Sequence, residues 1–100
     1  MAGMYDNDNI FIDQWLHTFT ASETIDCVAS GFTDKFNEIC NLQCYADASI
    51  SVAMGNDYMT AAKTINPMAY ELLTIAELDL DEISVTATAG ATVRLIATGK

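Results

Sequence analysis

Basic residues are scarce in this chain: four lysines and arginines stand against fourteen acids in 100 residues, a formal charge of −10 at pH 7. A surface that negative repels phosphate backbones and anionic lipid, which excludes nucleic acid and membrane surfaces as expected partners. It suits solubility, a cationic partner or high salt. Proline occurs once, glycine five times, and no low-complexity tract is present, so a disordered chain is excluded as well. Histidine is single, and one imidazole among scattered acids makes no Ser-His-Asp constellation. ATAGAT (residues 87–92) lacks the second glycine and the lysine of a phosphate loop. Three cysteines, an odd number, argue against a disulfide framework, and we expect reduced thiols in a cytoplasm. No uncharged apolar run approaches the ~20 residues of a membrane helix. The opening stretch MAGMYDNDNIFID has neither the basic nor the apolar region of a secretory signal, and none is expected.

What is present is a composition 51% hydrophobic, enough for one domain with one core. Its patterning is of period two. In QWLHTFTA, Trp15, His17 and Phe19 fall on one side and Leu16, Thr18 and Thr20 on the other. His17 stands in the bulky row and reads as a core or interface imidazole, because no acid or thiol is placed to work with it. A short strand is expected around Ile25–Ala29, with Ser30-Gly31 as a turn. From residue 42, Leu42, Cys44, Ala46, Ala48, Ile50, Val52 and Met54 take every even position, and Gln43, Asp47, Ser49 and Ser51 take odd ones. A single strand of that length would span roughly 40 Å, so a bend near Tyr45–Ala48 is predicted. Gly55–Asp57 supplies the terminating turn.

The same alternation decides how the Cys40/Cys44 pair is read. Four residues apart on one face, their Cα atoms would lie roughly 13 Å apart, beyond the ~7 Å limit of a disulfide. They are therefore expected as buried hydrophobes beside Leu42, Ala46, Ile50 and Val52. A zinc set of His17, Cys27, Cys40 and Cys44 fails on spacing, since His17 and Cys27 are ten apart. DNDNIFID places Ile10 and Phe11 where a calcium loop needs an oxygen ligand and glycine. The acids Glu77, Asp79, Asp81 and Glu82 are read as a solvated turn in preference to a cation site. No catalytic, cofactor or metal residue is assigned, and the chain is read as non-enzymatic.

ISVTATAGATVRLIATG is predicted to be a hairpin with a three-residue Thr88-Ala89-Gly90 loop, glycine taking the positive φ. In that register Ala87 opposes Ala91, Val85 opposes Val93, Ile83 opposes Leu95, Thr86 opposes Thr92 and Ser84 opposes Arg94. Upstream, INPMAYELLTIAELDLDE fits two structures. Asn66 as cap, Pro67 at the first helical position and Glu71, Thr74 and Glu77 at three-residue spacing describe a helix, while YELLTI also suits a buried strand. Leu78 and Leu80 are even whereas Ile83 and Val85 are odd, so a turn or bulge is required at Asp81-Glu82.

The tail AYELLTIAELDLDEISVTATAGATVRLIATG resembles the C-terminal part of small all-β virion proteins of tailed bacteriophages, through Leu78, Asp79, Leu80, Ile83 and Val85, then Gly90, Val93, Ile96 and Gly99. FNEICNLQCYADASISVAM resembles the central strand pair of the same sandwich. The resemblance favours strand for YELLTI. It implies an all-β fold, a small antiparallel, jelly-roll-like β-sandwich over residues 14–100, with a C-terminal hairpin and an N-terminal arm at 1–13. It also implies a virion structural role, above all capsid decoration or cement, made in the host cytoplasm and carried on the virion. The expected partner is the major capsid protein or another virion protein. Self-association as a homotrimer is expected because closure would hide the sheet edges. Ile10, Phe11 and Trp15 are the candidate interface residues. The alternative is a neck, tail or receptor-binding component with a carbohydrate site, for which Tyr5, Tyr58 and Tyr70 are the aromatic candidates.

Overall fold

The computed structural model describes residues 10–27 and 29–100, with the side chains of Glu77 and Leu78 left aside. Eight strands run in the order β1 (Phe11–Thr18), β2 (Glu23–Asp26), β3 (Ile39–Ala46), β4 (Ser51–Gly55), β5 (Lys63–Ile65), β6 (Leu73–Leu80), β7 (Glu82–Ala87) and β8 (Thr92–Gly99), with a 3-10 turn at Thr33–Lys35. They form two antiparallel four-stranded sheets, the first ordered β1-β8-β3-β6 and the second β2-β7-β4-β5. This is the strand order of an eight-stranded jelly roll, two interleaved Greek keys closed into a sandwich. The expected all-β, jelly-roll-like sandwich is the observed architecture.

Consecutive strands alternate between the sheets, apart from the local β4–β5 pair. The period-two pattern survives these crossings because both sheets turn their apolar sides to one core. Leu42, Cys44 and Ala46 on β3 and Val52 and Met54 on β4 are all buried, although the two strands lie in different sheets. The bend expected near Tyr45–Ala48 is thus a corner between layers, and one predicted strand becomes two. Val93, Leu95 and Ala97 complete the first sheet's inner side, and Ile83, Val85 and Ala87 the second's. Each large side chain so buried contributes about 1.5–3 kcal/mol relative to exposure.

Two expectations are corrected, the C-terminal hairpin and the inward placement of Cys40. The C-terminal segment is not a hairpin: β7 pairs with β2 and β4, and β8 with β1 and β3. Thr88–Ala91 instead carries the chain across the end of the core. Ala91 N–H donates to Thr88 O at 3.2 Å, Gly90 N–H donates to Phe19 O at 2.7 Å, and Gly90 takes φ +94°, the positive φ expected of it. Alternation told which residues point inward, but a strand opposite across the core and a strand beside it in the sheet produce the same alternation. Of the two structures that fit residues 67–78, the strand favoured by the resemblance is observed: β6, entered through a turn at Ala69-Tyr70. Leu73 and Ile75 pack against the core there, and a helix would break the pairing of β6 with β3. Cys40 does not share the inner face with Cys44. A register shift between Ile39 and Asn41 turns Ile39 inward and leaves Cys40 half-buried, its thiol 3.7 Å from Glu38 Oε2. Of the arm expected at 1–13, residues 1–9 lie outside the described residues, and Phe11–Asp13 belong to β1.

Gly99 permits the close approach that the bulge needs. A Cβ at Gly99 would collide with Glu38 O and stand 2.9 Å from Ile39 Cα, so the backbones of β8 and β3 meet where no side chain fits.

Candidate assembly interface

The two outer faces of the sandwich differ in chemistry. On the second sheet, Thr24, Asp26, Ser51, Ala53, Thr64, Ser84 and Thr86 point outward, small and mostly hydroxyl-bearing. On the first sheet the outward rows can be read from the register. Leu16, Arg94 and Tyr45 lie side by side across β1, β8 and β3; Gln14, Ile96, Gln43 and Thr74 form the next row; Ile12, Thr98, Asn41 and Ala76 the one after. Arg94 is the sole charged side chain in those three rows. Among the described residues these three rows hold no acid in a chain of net charge −10, and Asp47 stands just beyond the Arg94 row.

The face also exposes apolar bulk. Ile12 is 67% exposed, Leu16 53% and Leu72, one residue before β6, 58%. Tyr70 stands beside Tyr45 at the end of the Arg94 row, their rings 6.3 Å apart and tilted by 57°. Tyr70 sits at φ +64°, a left-handed backbone that a bulky residue adopts at a cost of order 1–3 kcal/mol. Its N–H donates to Ala46 O at 2.8 Å, which holds the strained turn on the end of β3. The strain leaves the ring 67% exposed beside Tyr45. Leu16, Tyr45, Thr92 and Arg94, with Asp47 at the rim, line an open hollow of about 230 Å³. Asp47 is held there by Thr92, whose N–H donates to its Oδ1 at 2.8 Å.

The residues singled out from sequence are distributed differently. Ile10 precedes β1 and is 64% exposed. Phe11 stacks on the buried Phe36 at 4.4 Å, and Trp15 is half-buried against the core. His17 stands between Trp15, at 5.4 Å, and Phe19, at 5.0 Å. Of the three tyrosines named from sequence, Tyr5 lies outside the described residues and Tyr58 stands alone in the Asn56–Ala62 loop; Tyr70 is on the candidate face. Of the residues missed, Leu16, Tyr45 and Arg94 lie on the side opposite the apolar rows, whereas Ile12 and Leu72 belong to segments given no outward side. A usable signal was there: Asn41, Gln43 and Tyr45 are uncharged outward positions in an acid-rich chain.

Chemistry elsewhere is sparse. Burial pushes the Cys27 thiol up to about 12, with Asp26 and Cys44 adding to it, and burial pushes Cys44 up to about 11. Neither is poised as a nucleophile. No group of three or more His, Cys, Asp or Glu among the described residues could hold a metal ion. At the acidic end, Asp79 has a buried Oδ1 without a hydrogen-bond partner, and its carboxyl is raised by burial and then by Asp81, Glu38 and Asp57. A second open hollow, of about 510 Å³, is lined mainly by small hydroxyls, including Ser22, Thr24, Ser51 and Thr86, with Glu23. Compared with known proteins, the chain matches no family model and no curated protein.

Proposed function

We propose that this protein is a non-enzymatic virion structural subunit, of the kind that decorates or cements a capsid as an oligomer. One observation carries the reading: three outward rows of the first sheet hold Arg94 as their sole charge, and Ile12, Leu16, Tyr45, Tyr70 and Leu72 are exposed in or beside them on a chain of charge −10. Several exposed large apolar side chains gathered on one face mark an interaction site, and Tyr and Arg are enriched among residues that carry binding energy. The fold adds support by analogy, since jelly rolls recur in capsid proteins, though a fold alone does not fix a function. The tail resemblance points the same way. Attachment to the shell is assigned to the start of β1, with Ile10 and Phe11 as contacts and Trp15 supporting them from behind.

The test is quantitative mass spectrometry of purified particles from the virus that encodes the chain. A copy number within a few-fold of the major capsid protein is expected. Absence from particles would overturn the reading, and a few dozen copies or fewer would move it to neck or tail. One observation favours a second reading, a carbohydrate-binding tip: the Tyr45–Tyr70 pair stands near the Leu16–Arg94 hollow. Glycan-array binding that is lost in Tyr70→Ala would select it.

A further inference from the structure

Resting on the reading of this face as an assembly surface, we infer that its occupant is a second copy of the same chain, packed sheet on sheet about a twofold axis. The first argument is charge. Two bodies of −10 repel one another over most of their surface, and the first sheet's outer rows are where they can meet without opposing acids. A cationic partner would be drawn instead to the acid-bearing surfaces.

The second argument is self-complementarity. A twofold axis running along the strands between β8 and β3 exchanges β8 with β3 and β1 with β6. It sets Arg94 of one copy opposite Tyr45 of the other, twice, a pairing that suits a cation–π contact. It also sets Ile12 over Ala76, apolar on apolar, and brings Leu16 over the start of β6, next to the exposed Leu72. An axis running across the strands along the Arg94 row would stack Arg94 on Arg94 and is rejected. Tyr70, held out by its left-handed backbone beside Tyr45, then projects towards the second copy's Leu16 edge. The third argument is area. Four strands at ~4.8 Å spacing and ~26 Å length give a footprint of roughly 500 Å² per copy, or about 1,000 Å² per pair, the lower bound for a specific interface. Sheets packed in this way align within about 30° and interdigitate side chains.

An isologous pair makes an assembly of even order, where edge closure led us to expect a trimer. Sedimentation equilibrium of the full chain distinguishes them. A reversible dimer of the 10.8 kDa chain is expected, tightening as sodium chloride screens the net charge. Arg94→Glu and Tyr45→Lys are exposed-strand substitutions, and each alone is expected to sediment as a monomer with unchanged circular dichroism. Mixed one to one, they are expected to form a heterodimer. The carboxylate introduced at position 94 of one chain then faces the ammonium introduced at position 45 of the other, while the second contact stays native. A wild-type chain that is monomeric or trimeric at millimolar concentration overturns the inference, as does a mixture that stays monomeric. A monomer found at high copy in virions leaves the functional reading intact, and a dimer absent from virions does the reverse.

Discussion

Val85 and Val93, eight residues apart on either side of a glycine turn, lie in different sheets. Val85 is flanked by Ile25 and Val52, and Val93 by His17 and Ala46. Both are fully buried, and they belong to opposite walls of one core. The same separation governs the threonines beside them. Thr86 meets Thr24, hydroxyl to hydroxyl, at 2.6 Å, whereas Thr92 meets Thr18 at 3.0 Å.

A double-mutant cycle tests this topology. Thr24→Val and Thr86→Val are expected to couple by roughly 0.2–1 kcal/mol, the range for cross-strand pairs. Thr86→Val and Thr92→Val should add within error, because independent sites do. Urea denaturation of the four-variant sets reads both. Coupling between Thr86 and Thr92 would restore the hairpin and refute the jelly-roll order.

Gly99→Ala is expected to be among the costly single-atom changes in the chain. The new methyl has nowhere to go but into the β3 backbone at Glu38-Ile39. Overpacking of this kind costs typically about 1–3 kcal/mol, and backbone on the far side cannot rotate away as a side chain would. Gly90→Ala tests a different cost, since a Cβ there meets nothing within 4 Å and only its φ of +94° is strained. A lower denaturation midpoint for Gly99→Ala than for Gly90→Ala is the expected order.

Thiol reactivity separates the three cysteines. Cys40, half-buried at the bulge, is expected to react with a disulfide reagent in the native protein. It should be slower than a free thiol, because burial and the neighbouring Glu38 raise it. Cys27 and Cys44 should react at the rate of unfolding, being buried with thiols held up to about 12 and about 11. Cys40→Ser should abolish the native-state reaction. Equal rates for all three would show that the bulge is misplaced.

Acid stability carries the signature of Asp79. Its carboxyl is raised above the ordinary 3.8 by burial and by Asp81, Glu38 and Asp57. A folded state that holds the proton more tightly than the unfolded chain gains relative stability as pH falls through the raised value. Above that value the ionised group is a net cost. Asp79→Asn is therefore expected to raise the melting temperature at pH 7, with the gain vanishing below about pH 3.8, where both states are protonated. Added salt should shrink the gain by screening the three neighbouring acids. A loss of stability in Asp79→Asn at pH 7 would contradict the assignment.

Much of this was legible before the fold was known. The alternation from Leu42 to Met54 and from Ile83 to Leu95 marks the core correctly, because burial on one side of a strand is a local property of side-chain spacing. The break at Asp81-Glu82 was readable for the same reason, since a parity change must be absorbed somewhere. Gly90 announced its turn because positive φ leaves few alternatives. The charge of −10 and the single histidine set what chemistry and partners to expect.

Three features depended on the tertiary structure. Which strand sits beside which is a non-local choice: β7 could lie next to β8 or across from it with the same residues buried, and only the packing of all eight strands selects the jelly-roll order. The bulge that turns Cys40 aside and Ile39 inward follows from a backbone contact with Gly99, at the far end of the chain. The candidate face is non-local too. Ile12, Leu16, Tyr45, Tyr70 and Arg94 come from separate segments, and each alone is an ordinary exposed residue. Their meaning arises when β1, β8 and β3, with the turn before β6, bring them to one face. Side-chain periodicity is written into the chain residue by residue, whereas neighbourhood is decided by the global fit of two sheets around one core.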